Sequence, residues 1–181
     1  MSNIRFSQIK SYLNNNLKPS LTKVPCVFDL KILVPFIVFS VFSFSYGSYH
    51  GLFSYGLIDS KLMLILPITL FIFPSFLEEL VFRGLLIPIN AKKSGIASIV
   101  LFIGISTLLF VSWHPLNALT INTGAQGFFL NPHFLIIVAL MGITCSYTYI
   151  QSKSLWVPVF IHWITVVVWV FMLGGRNLII E

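Results

Sequence analysis

Five apolar stretches dictate how this chain can fold: residues 33–46, 62 to about 90, 96–114, 134–150 and 155–173. The last four are long enough to cross a bilayer as helices, and the first, interrupted by serines, is the weakest. Backbone polar groups in lipid must be bonded within their own segment, and no ten-residue alternation of a barrel occurs. The predicted fold class is therefore all-α, a polytopic membrane protein of about five transmembrane helices. Composition agrees, with 57% apolar and 9% charged residues among 181 and a mean hydropathy of +0.94; soluble chains carry about 25% charged residues.

The domain reading follows from the same pattern. Residues 1–30 form a basic cytoplasmic amino-terminal tail, 31–175 a single transmembrane domain, and 176–181 a short carboxyl-terminal tail. The tail is too long for a signal-peptide n-region, and no small-x-small cleavage site follows the first apolar run. The net charge of +6 would suggest a nucleic-acid partner in a soluble protein. Its distribution points instead to orientation: Arg5, Lys10, Lys18, Lys23, Lys31, Arg83, Lys92, Lys93 and Lys153 fall on one side, and Lys61 and Arg176 on the other. The expectation is an integral protein of a bacterial inner membrane with its amino terminus in the cytoplasm and no nucleic-acid partner. Cys26 and Cys145 imply neither a disulfide framework nor a cysteine metal site.

The five acids are Asp29, Asp59, Glu78, Glu79 and Glu181, and two of them stand side by side in apolar sequence. A charge at the centre of a membrane helix costs about 2.5–3.5 kcal/mol on insertion scales, so Glu78, Glu79 and Arg83 need compensation. Glu79 and Arg83 are four apart and can pair on a helix. Glu78 has no sequence-local partner, which makes it a candidate proton acceptor. His114 and His162 fall in or at the ends of later spans, so three helices each bring a proton-handling group into lipid. His50 and His133 lie in predicted loops and carry no assigned role. Phenylalanine reads as lipid-facing bulk and tryptophan mainly as an interface anchor.

The series Glu78-Glu79-x-x-x-Arg83, Phe110-x-x-x-His114 and His162 resembles the CPBP family of intramembrane proteases, which includes CAAX-processing endopeptidases and bacterial Abi and bacteriocin-immunity relatives. The match covers the last four predicted spans, a protease-like core of about 62–173. The resemblance implies glutamate-dependent hydrolysis of a peptide bond in a membrane-associated protein or peptide, with catalytic residues on three helices. Glu78 would be the general base for a water, His114 would hold and polarise that water, and His162 would stabilise the oxyanion. Glu79 and Arg83 would be the supporting pair. The family commonly has Asn four residues after the last His, where this chain has Val166; Thr165 and Asn117 are the stand-ins.

Geometry adds a condition. With straight antiparallel helices around a turn near Lys92, Glu78 lies 14 residues from the turn and His114 lies 22, about 12 Å apart in depth. The sequence therefore predicts a break or reorientation between Gly84 and Ser98. No cofactor is expected. A zinc-dependent intramembrane protease is the lesser reading, since a Glu and two His can ligate zinc but no His-Glu-x-x-His occurs. A non-catalytic immunity or scaffold module and a proton-coupled carrier also place such residues in a membrane, though no internal repeat of the carrier kind is visible. The uncharged segment from Pro115 to His133 reads as a cap over the site or a plain loop.

Overall fold

The computed structural model describes residues 7–8, 10–25 and 29–175. Arg5, Cys26 and the 176–181 tail with Arg176 lie outside them. Among the described residues there is no strand, and the protein is an all-α polytopic membrane protein. Helix α1 covers residues 13–22, α2 Leu30–Tyr49, α3 residues 66–85, α4 Ile96–Thr120, α5 Pro132–Ser152 and α6 Trp156–Met172. Helices α2, α4 and α5 are each long and apolar enough to cross a membrane, and α6 is a shorter apolar helix.

The helix ends follow from local chemistry. The Asp29 carboxylate accepts from Lys31 N at the start of α2, and the Asn131 side chain accepts from His133 N at the start of α5, ahead of Pro132 at its first position. Gly95, at φ +85°, opens α4 in a conformation that residues with a Cβ rarely adopt. Helix α3 alternates α and π turns and is broken at Phe73 (φ −136°, ψ 119°). Phe73 precedes Pro74, whose ring pushes its neighbour out of the α region and which has no N–H to offer the ladder.

Helix α5 is central. It packs against α2, α4 and α6, and 61% of its most apolar window is buried, against 22% for α2 and 17% for α4. The outer faces of α2 and α4 remain for lipid.

The amino-terminal segment departs from the tail expected of it. Tyr12 donates to Leu85 O and Asn16 Oδ1 accepts from Ile89 N. Ser20 O accepts from Leu155 N, Leu21 O from Trp156 Nε1 and Lys23 O from Ser154 Oγ. Residues 12–23 thus strap the end of α3 to the α5–α6 turn. The basic groups of this end share one neighbourhood, because the Lys92 ammonium is held below its ordinary value by partial burial and then by Lys31 and Lys153. Arg83, counted with them from sequence, instead lies fully buried inside the bundle.

The spans shift at their edges. The second ends as a helix at Leu85 rather than near Asn90, and the third runs through Pro115 to Thr120 instead of stopping at His114. The expected reorientation between Gly84 and Ser98 is present as a non-helical connection, a 3-10 turn at Ala91–Ser94 and the Gly95 bend.

Candidate active site

Neighbouring residues on a helix point about 100° apart, so Glu78 and Glu79 serve different surroundings. Glu79 turns into the bundle. Arg83 Nη1 donates to Glu79 Oε1 at 2.9 Å, both side chains being fully buried. The remaining guanidinium groups are also engaged: Nη2 donates to Gly142 O at 3.0 Å and Nε to Ser146 Oγ at 3.4 Å. Its carbon lies 4.4 Å from the centre of the Phe110 ring. This satisfies a buried cation on several sides, as its desolvation demands.

Glu79 Oε1 has a second neighbour, His162 Nδ1 at 2.9 Å. A carboxylate only accepts, so Nδ1 carries the proton and Nε2 is the free face of the ring. That Nε2 lies 4.0 Å from Glu78 Oε2.

Helix α4 contributes one stripe: Phe110, Trp113, His114 and Asn117, spaced i, i+3, i+4, i+7. His114 Nδ1 lies 2.9 Å from Phe110 O and must donate to it, which leaves Nε2 unprotonated in the neutral ring. Phe110 and Phe129 hold the imidazole edge-on, each with centroids 4.9 Å away. Trp113 Nε1 donates to Glu78 Oε1 at 3.0 Å, whereas Glu78 Oε2 has no hydrogen-bond partner among the described residues.

The depth mismatch expected from sequence is smaller here. Ser106 Oγ donates to Phe82 O at 2.7 Å, fixing the register of α4 on α3. Counting from that rung, Glu78 is four residues up α3 and His114 eight residues up α4, a mismatch of about 6 Å.

Glu78, His114 and His162, together with Asn117, Thr165 and Val166, line one cavity of about 410 Å³. Its remaining walls are largely apolar, with many aromatics among them, including Phe39 and Phe44 of α2 and Phe128 and Phe129 from the segment after α4. This corrects the assignment of phenylalanine to lipid-facing bulk and of tryptophan to the interface. Several phenylalanines wall the cavity, Trp113 and Trp163 spend their N–H groups inside, the latter on Pro67 O, and Trp156 gives its N–H to Leu21 O of the amino-terminal strap.

The two stand-in donors differ. The Thr165 hydroxyl donates to Ile161 O of its own helix, whereas Asn117 is buried with its Oδ1 unpartnered. His50 and His133 stack on each other at 3.8 Å, with the Tyr46 hydroxyl 2.9 Å from His133 Nδ1. They join α2 to the start of α5, away from the Glu78 carboxyl.

Sequence reasoning missed Trp113, Gly142 and Ser146. The i, i+3 step from Phe110 would have found the first, and the small-x-x-x-small spacing from Gly142 to Ser146 marks a close helix contact. Among the described residues, no three His, Cys, Asp or Glu side chains group at metal-ligand spacing.

A family model described as type II CAAX prenyl endopeptidase Rce1-like matches residues 59–168, a span that contains every motif residue of the site. No curated protein and no solved structure matches the chain.

Proposed function

Because the chain belongs to the Rce1-like family of type II CAAX prenyl endopeptidases, we propose that it is an intramembrane endopeptidase that cleaves a membrane-associated protein or peptide with a water activated by Glu78. The observation that carries this reading is the convergence of Glu78, His114 and His162, from three helices, on one cavity. Oε2 of Glu78 takes a proton from the water, whose oxygen attacks the scissile carbonyl carbon. The bare Nε2 of His114 accepts a hydrogen bond from the water's other O–H, which stays on the oxygen, and so aims its lone pair at the carbonyl carbon. The oxyanion then receives a hydrogen bond from Nε2 of His162, whose ring Glu79 orients through Nδ1, and one from the amide of Asn117 in place of the donor absent at Val166. Collapse breaks the C–N bond, and the proton on Glu78 passes to the departing amine. Glu79 and Arg83 support the site without touching substrate, and no cofactor enters this chemistry. The unit that performs it is the core of about 62–173 within the 31–175 domain, in a bacterial inner membrane with the 1–30 segment cytoplasmic.

Glu78→Gln and, separately, Glu79→Gln are to be compared with the wild type in membranes from cells whose proteome shows a cleaved substrate only when the protein is present. Glu78→Gln is expected to lower cleavage by about 10²- to 10⁴-fold. Wild-type processing by that variant would sink the reading.

A further inference from the structure

Among the described residues Glu78 makes a single side-chain hydrogen bond, and it comes from Trp113, 35 residues away on the facing helix. The terminal torsion of a glutamate is broad, so an unpinned carboxylate exchanges its two oxygens freely. Here Oε1 is held at 3.0 Å by the indole, and Oε2 is left as the atom that meets His162 Nε2 at 4.0 Å. An indole N–H only donates, so it can neither take the proton nor compete for the water. A tryptophan near a membrane boundary ordinarily gives its N–H to the headgroup region; this one is turned inward onto an acid.

We propose that Trp113 is a positioning residue: by anchoring Oε1 of Glu78 it selects Oε2 as the proton-accepting atom and fixes the plane in which the water is held. The inference rests on the endopeptidase reading above and deepens it. It assigns the α4 stripe two tasks, with Trp113 orienting the base and His114 the water.

The test is a set of variants assayed for kcat and KM on the identified substrate in detergent or vesicles. Trp113→Phe keeps an aromatic ring, smaller than the indole, and removes the N–H. It is expected to lower kcat by about 10- to 100-fold, the worth of a hydrogen bond to a charged group, with KM changed by less than about twofold. In a cycle with Glu78→Asp, which withdraws the carboxylate from the indole, the double variant should be no slower than Glu78→Asp alone, because both remove the same contact. Ser106→Ala removes another α3–α4 rung and the contact from Ser146 Oγ without touching Glu78, so it reports on helix packing and should lose less than about threefold. Wild-type kcat in Trp113→Phe, losses that multiply in the cycle, an equal loss in Ser106→Ala, or failure of Trp113→Phe alone to accumulate in membranes would each overturn the proposal. Activity in Glu78→Gln would instead overturn the endopeptidase reading itself, so the two failures are told apart.

Discussion

His162 Nδ1 lies 2.9 Å from Glu79 Oε1, the same oxygen that receives Arg83 Nη1 at 2.9 Å. One carboxylate oxygen therefore does two jobs: it neutralises a fully buried guanidinium, and it fixes which nitrogen of the histidine faces the cavity. The two jobs separate under mutation.

Glu79→Gln removes the charge and leaves Arg83 buried without compensation, so a stability loss of about 3–5 kcal/mol is expected. Replacing the pair together, Glu79→Leu with Arg83→Met, should recover most of that stability because no lone charge remains. It should not recover activity, since the His162 anchor is gone. Detergent unfolding midpoints and cleavage assays on the same preparations read both, and a fully active double variant would refute the anchoring role.

Asn117→Ala should lower kcat by about 10²- to 10³-fold, the range for loss of one oxyanion donor. Adding Val166→Asn, which restores the donor at its common family position, should return at least about tenfold. If the second substitution returns nothing while Asn117→Ala is impaired, Asn117 acts in some other way.

Gly142 sits where α5 meets α4, and a Cβ there would lie 3.0 Å from Thr107 Cγ2. Gly142→Ala should therefore destabilise by about 1–3 kcal/mol through overpacking, and Thr107→Ser, which deletes that methyl, should relieve it. Equal melting midpoints for Gly142→Ala with and without Thr107→Ser would show that the contact is not the cause.

Orientation is checked by labelling single cysteines with a membrane-impermeant thiol reagent in intact cells, in a Cys26→Ser background where Cys145 is buried. Gln126→Cys is expected to react from outside, and Lys92→Cys only after the membrane is opened. The reverse pattern would invert the assigned topology.

Exhaustive chelation should leave cleavage within about twofold of the untreated rate if, as proposed above, Glu78 activates the water directly. Loss of activity restored by zinc alone would move the mechanism to a metal.

Fold class and the main residues of the candidate site were legible in the chain because each leaves a local trace. Apolar run length gives spans, and ionisable groups in apolar sequence are too costly to be incidental. What stayed hidden depends on packing between helices. Phe73 is non-helical beside Pro74, a break the sequence offered but apolarity masked. Arg83 looked like an orientation signal because its partners Gly142 and Ser146 are about sixty residues away and uncharged. The basic first segment lacked apolar periodicity strong enough to reveal that its backbone carbonyls are taken by Leu155, Ser154 and Trp156.

That strap sets an order of assembly. Residues 12–23 leave the ribosome well before residues 154–156, to which three of their bonds go. Until the α5–α6 turn is made, the amino-terminal segment holds the end of the Glu78-bearing helix through the Tyr12 and Asn16 contacts. The segment thus waits for the α5–α6 turn before its set of neighbours is complete, and its docking marks the point at which that turn is in place.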